Sequence, residues 1–131
     1  MQKGTRRIYI SVVTVPVKDV DRAIEFYTKK LGWEKTMDAP MSEGRWVTVT
    51  PPGGQTAFTL SHHSEGWSNK SDGFSGVIIE VGDLEKTYEQ LRQVGVEFPE
   101  GPRSEPWGGW AMFKDSEGNV HGLHSSIPAR E

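Results

Sequence analysis

VVTVPVKDVDRAIEFYTKKLG, Val12 to Gly32, joins an apolar strand to an acidic cap, an amphipathic helix and a closing glycine. The β-branched run from Ile8 to Val17, with Pro16 near its end, predicts a buried strand. Asp19 offers a carboxylate to the open N–H groups of a helix start. Asp21 falls in the first turn, where the helix dipole favours negative charge. Val20, Ala23, Ile24, Tyr27 and Leu31 stand at i, i+3, i+4, i+7 and i+11, one apolar stripe to lie on a sheet. The arrangement returns in GVIIEVGDLEKTYEQLRQVG, Gly76 to Gly95, where Asp83 follows Asp19 by 64 positions and Gly95 follows Gly32 by 63. A period near half of the 131 residues makes the chain two matching modules.

Each module continues in the same manner. After the first helix come a short strand at Trp33 to Met37, a loop at Asp38 to Gly44, and Arg45 to Thr50. In that last strand Val47 and Val49 alternate with Trp46, Thr48 and Thr50. Pro51 to Gly54 is a tight connection between antiparallel neighbours, and Thr56 to His63 is the next strand. The polar stretch 64–73, SEGWSNKSDG, reads as a linker. The second module predicts strand Phe74 to Val81, a helix from Leu84 to about Val94 and a short strand near Val96 to Phe98. A loop holding Pro99, Pro102, Pro106 and Gly108 follows, then strand Trp110 to Lys114, a turn at Asp115 to Gly118 and strand Asn119 to Ser125. The expected class is α+β: a single domain over 1–131, built of two tandem βαβββ modules at about 8–63 and 74–126.

Composition narrows the function. With 15 basic and 18 acidic residues interspersed and a net charge of -3, no broad cationic face is available to a phosphate backbone, which argues against nucleic acid as partner. Lys3, Arg6 and Arg7 read as a solvated terminus. The absence of cysteine excludes disulfides, thiolate metal sites and a cysteine nucleophile. No apolar run approaches the length needed to span a bilayer, and the apolar stretch after the basic start is broken at once by KDVDR, without a cleavage site. A soluble, cytoplasmic protein is expected.

The D-x-x-x-A-x-x-F-Y-x-x-x-L-G run from Asp19 to Gly32, its echo at Asp83, and DSEGN at Asp115 to Asn119 resemble the vicinal oxygen chelate superfamily. That superfamily includes glyoxalase I, bleomycin-resistance proteins and extradiol dioxygenases. The resemblance implies mixed sheets that curl around a cup. It also implies a divalent metal held by His and Glu from the first and last strand of each module, and frequent pairing of modules across a homodimer. The corresponding positions here are Val12, Thr59, Gly76 and Gly122, none of them an imidazole or carboxylate. The expectation is therefore no metal site and no cofactor.

Strand alternation lists the face opposite the helices. It gives Val12, Thr14, Trp46, Thr48, Thr59, Ser61 and His63 from the first module, and Gly76, Ile78, Trp110, Met112, Gly122 and His124 from the second. Two tryptophans 64 residues apart, with hydroxyls and imidazoles around them, suit a small apolar or aromatic ligand. The residues expected to bind it are Trp46, Thr48, Ser61, His63, Trp110, Met112 and His124, with Trp107 on a glycine-rich rim loop. Gly76 and Gly122 leave space for it. No catalytic group is assigned; His63 and His124 are the candidates for acid–base or metal chemistry. The leading reading is a metal-free cup that binds a small molecule, with sequestration of an antibiotic or metabolite as one use. The alternative is a metal-dependent lyase, isomerase or dioxygenase with a rearranged site on those two histidines. A third reading fills the cup with core.

Overall fold

The computed structural model describes residues 8–42, 44–62 and 73–126. His63, nearly all of the expected linker, and Lys3, Arg6 and Arg7 lie outside the described residues. β1 (Val12–Val17) leads to α1 (Val20–Glu25), then β2 (Glu34–Pro40), β3 (Arg45–Thr50) and β4 (Ala57–His62). The second half runs β5 (Gly73–Glu80), α2 (Leu84–Gln93), β6 (Glu97–Glu105), β7 (Gly108–Lys114) and β8 (Asn119–Ser125). Both helices start as the capping residues dictate: Asp19 accepts from the Arg22 N–H at 3.0 Å and Asp83 from the Lys86 N–H at 3.1 Å.

The strands form two four-stranded sheets in the equivalent orders β1-β4-β3-β2 and β5-β8-β7-β6. In each, the first strand runs parallel to the last and the other pairings are antiparallel. The class is α+β as the repeat requires, and the sheets are not closed: β1 and β5 are both edge strands. One apolar core joins the two halves. Val15, Val17, Val47, Val49, Phe58 and Leu60 from the first sheet cluster with Leu84, Ala111, Phe113 and Leu123 from the second half. The other face of each sheet turns away from that core, because successive strand residues alternate sides.

Buried polar groups clasp the halves together. The Tyr27 hydroxyl donates to Asp115 Oδ2 at 2.7 Å. Having one proton, it accepts from His121 Nε2 at 2.8 Å, and His121 Nδ1 lies 2.7 Å from the Ser75 hydroxyl. Burial, then the Asp115 carboxylate, push the Tyr27 phenol well above its ordinary pKa. Burial also works against the Asp115 charge, but His121, Tyr27 and Asn119 outweigh it and hold that carboxyl below its usual range. Next door, Glu117 Oε1 accepts the N–H groups of Lys18 and Asp19 at 2.9 and 3.0 Å, and Oε2 takes Arg22 Nε at 2.8 Å. The β7–β8 turn thus closes the N-terminus of α1.

Several boundaries differ from the sequence expectation. β1 starts at Val12, not Ile8, because its partner β4 begins at Ala57 and Val12 pairs with Ala57, leaving residues 8–10 exposed. α1 gives way to a π-helical turn at Phe26–Lys30, in which the Leu31 N–H reaches back to the Phe26 carbonyl at 3.2 Å. The wider turn buries Phe26 beside Tyr27, where a regular stripe would place Tyr27 alone. The proline-rich stretch after α2 is a strand, not a loop. β6 runs nine residues along the sheet edge, with register shifts between Glu97 and Glu100 and between Glu100 and Arg103. An edge strand tolerates Pro99 and Pro102, whose missing N–H groups cost no ladder bond on the open side.

Candidate ligand-binding site

On the outer face of the second sheet, β7, β8 and the β6–β7 turn bring three rings together. Trp110 and His124 are cross-strand partners. Trp107, in the turn and half exposed, stacks on His124 at 5.7 Å between centroids and 25° between planes, and meets Trp110 edge-on at 6.0 Å. The Trp110 indole N–H donates to Glu100 Oε1 at 3.2 Å, and Arg103 holds the same carboxylate oxygen at 2.8 Å. Met112 continues the platform along β7, half-buried.

Gly122 does not leave an open cavity. A Cβ there would lie 2.6 Å from Trp110 Cη2, so the glycine is the seat into which the indole packs. Gly76 differs: its φ is +85°, it lies within the register shift of β5 between Phe74 and Ile78, and nothing comes within 4 Å of where a Cβ would stand.

His124 is a donor on both sides. Nδ1 lies 2.6 Å from Glu80 Oε1 and Nε2 3.3 Å from the Trp107 carbonyl oxygen. Both partners are acceptors only, so with both bonds made the ring is an imidazolium. The Glu80 carboxylate and then the Trp107 carbonyl raise its pKa. Below that raised pKa the ring is a cation flanked by an indole. Glu80 in turn is held below its usual range by the Ser126 hydroxyl, then by His124.

The first sheet presents a different surface. Trp46, the counterpart of Trp110, is 37 % exposed near the start of β3. Thr48 is buried behind it, with its hydroxyl 2.7 Å from that of Thr36, and Ser61 is half-buried on β4. Trp46, Thr48 and Ser61 stand on one sheet and Trp110, Met112 and His124, with Trp107 in the adjoining turn, on the other, each group on the face turned from the common core. Between the edge strands β1 and β5 lies an apolar cleft of about 640 Å³, reached by Val13, Trp33, Phe58, Ile78 and Glu80. Sequence reasoning missed that cleft and the role of Glu100. The bulges in β6 that aim Glu100 at Trp110 leave no signal in a proline-rich stretch.

The residues do not fit a divalent metal at the positions where the superfamily places it. Val12, Gly76 and Gly122 have no donor, and the Thr59 hydroxyl is a neutral one. Among the described residues no three His, Asp or Glu side chains converge. His124 and Glu80 are already committed to each other.

Comparison with known proteins agrees with this architecture. The uncharacterized protein YetH of Bacillus subtilis (strain 168) is 34 % identical over 113 residues, covering 85 % of this chain and 92 % of YetH. The crystal structure of TnmS3, an antibiotic binding protein from Streptomyces sp. CB03234, superposes with a TM-score of 0.82 at 31 % identity, covering 94 % of this chain and 99 % of that one. A superfamily member from Sphaerobacter thermophilus DSM 20745 gives a TM-score of 0.83 at 32 % identity, covering 92 % and 99 %. No helix among the described residues is long and apolar enough to cross a membrane. With residues 9–121 matching its family description, the chain belongs to the Glyoxalase/Bleomycin resistance protein/Dioxygenase superfamily.

Proposed function

We propose that this protein binds a small, flat, largely apolar or aromatic molecule without the help of a metal, and that it serves to sequester an antibiotic or metabolite in the cytoplasm. The observation that carries the proposal is the platform of exposed Trp107 and half-buried Trp110 and His124. Indole faces bind planar rings by stacking, and His124, when protonated, adds a positive edge. A superfamily relative that binds an antibiotic supports the same use of the fold.

The binding unit in this proposal is a homodimer. β1 and β5 have unpaired edges, and on β5 the exposed Ile78 lines the interstrand cleft while the exposed Phe74 lines a second hollow between the same strands. Pairing β1 of one copy with β5 of another would satisfy both edges. It would also set Trp46, Thr48 and Ser61 of one chain opposite the indole platform of its partner. His63, at the end of the last strand of the first module, remains a candidate lining residue.

Titration of the full-length protein with planar aromatic compounds, followed by quenching of tryptophan fluorescence, tests the proposal. Saturable one-to-one binding per cup that is unchanged by EDTA is expected, and Trp110→Leu should weaken it at least tenfold, the loss of about one stacking contact. Binding or turnover that disappears with EDTA would overturn the metal-free assignment.

A further inference from the structure

The middle rung of the first sheet is built from threonines. Thr14 on β1 stands beside Thr59 on β4, and Thr59 beside Thr48 on β3. Thr36, at the bulge of β2, extends the row through its hydroxyl contact with Thr48. The matching rung of the second sheet runs Ile78, Gly122, Met112 and Glu100, with no hydroxyl in it. Both rungs lie on faces turned from the core, so the core does not explain the difference.

Beside this rung, the Thr36 hydroxyl links those of Thr48 and of Thr50, two residues along β3, at 2.7 and 3.0 Å. Thr59 is not part of that chain. The residue keeps only 4 % of its surface exposed, and its Oγ1 is buried with no hydrogen-bond partner. Its neighbours Phe58 and Leu60 point into the core, which places Thr59 on the outer face. Buried polar atoms are nearly always satisfied. Valine has the same shape and would remove the unmet hydroxyl at no cost in packing. A threonine at the centre of the sheet is thus a liability to the free chain, and it gains a use only if something else supplies the partner.

We propose that Thr59 is the hydrogen-bonding group by which the first sheet recognises an oxygen atom on the ligand. The inference rests on the binding reading above and adds to it the polarity of the molecule: a flat aromatic compound with a hydroxyl or carbonyl on one edge. The oxygen lies against the threonine rung, and the rings lie against the indoles of the second sheet. Thr14 and Met37, the outer members of the rung, are exposed, so the approach is from the sides of the row. Because Thr59 Oγ1 is closed over in the free chain, arrival of the oxygen is coupled to a local shift of its neighbours.

The test compares naphthol with naphthalene, by equilibrium dialysis against the full-length protein and its Thr59→Val and Thr59→Ser variants, with thermal melts of each protein alone. The wild type should bind naphthol about tenfold more tightly than naphthalene, the usual worth of one net hydrogen bond. Thr59→Val should lose that preference, keep its affinity for naphthalene and melt no lower than the wild type, while Thr59→Ser should retain the preference. A Thr59→Val protein that melts lower and still prefers naphthol would overturn the proposal, since the hydroxyl would then be structural. Equal binding of both compounds by the wild type would overturn the recognition of oxygen and leave the binding reading standing. Binding of neither would overturn both.

Discussion

His124 shows how a half-buried ring is biased towards its charged form. Its folded pKa is raised, chiefly by Glu80, above the ordinary value of 6.5. The stabilisation it contributes is therefore full below that ordinary value and is lost as pH rises through the higher folded one. Glu80 has its folded pKa lowered from 4.5, so its contribution is present above 4.5 and is lost as pH falls through the lower folded value. The pair is intact in the window between those two folded values. In Glu80→Gln, a proton-NMR titration should show the His124 midpoint falling towards 6.5, and the Trp107 ring resonances should shift with it, because the imidazolium anchors the Trp107 carbonyl. An unmoved midpoint would contradict the imidazolium assignment. The face on which His124 stands was legible from strand alternation. Its charge was not, since the partner that fixes it lies 44 residues away.

Among the elements, the β7–β8 turn has the widest reach. DSEGN is readable as a turn from its residues alone, yet the sequence does not reveal that Glu117, only 2 % exposed, caps a helix in the other half of the chain. Replacing Glu117 by alanine leaves two backbone N–H groups and Arg22 without their acceptor, and should cost about 1–3 kcal/mol in urea denaturation. The same turn governs acid stability. Burial opposes the charge on both Asp115 and Glu117, but their hydrogen-bond partners hold both folded pKa values below the ordinary 3.8 and 4.5. Their stabilisation is complete above those ordinary values and is lost as pH falls through the folded ones. Glu117→Ala should accordingly flatten the acid limb of a stability-against-pH curve, and an unchanged limb would show that the turn does not control it. Helix starts were readable because a cap is a local device. The π turn and the bulges of β6 were not, because they answer to packing from elsewhere.

At the scale of the whole molecule, the repeat made the architecture legible: among the described residues, two helices and eight strands in two equivalent sheets follow from one 64-residue period. The division of the site did not follow from it. Alternation assigns Trp46 and Trp110 to equivalent faces, but only the packing of the core shows that they stand on separate sheets, each on the face turned from that core. The proposed homodimer would bring them together, and on that proposal sedimentation at micromolar concentration should give a dimer. Ile78→Arg, which places a charge on the exposed β5 side chain, should give a monomer that no longer quenches with aromatic compounds. A dimer that survives the substitution would place the interface elsewhere. The clasp between the halves has one more consequence, in time rather than in space. Arg22 and Glu117 are separated by 95 residues. On the ribosome, α1 emerges long before the carboxylate that closes it, and β1 before the strand that lies parallel to it. The nascent first half therefore has α1 capped by Asp19 but lacks the acceptor for the Lys18 and Asp19 N–H groups and for Arg22, and that clasp waits on the translation of the final hairpin.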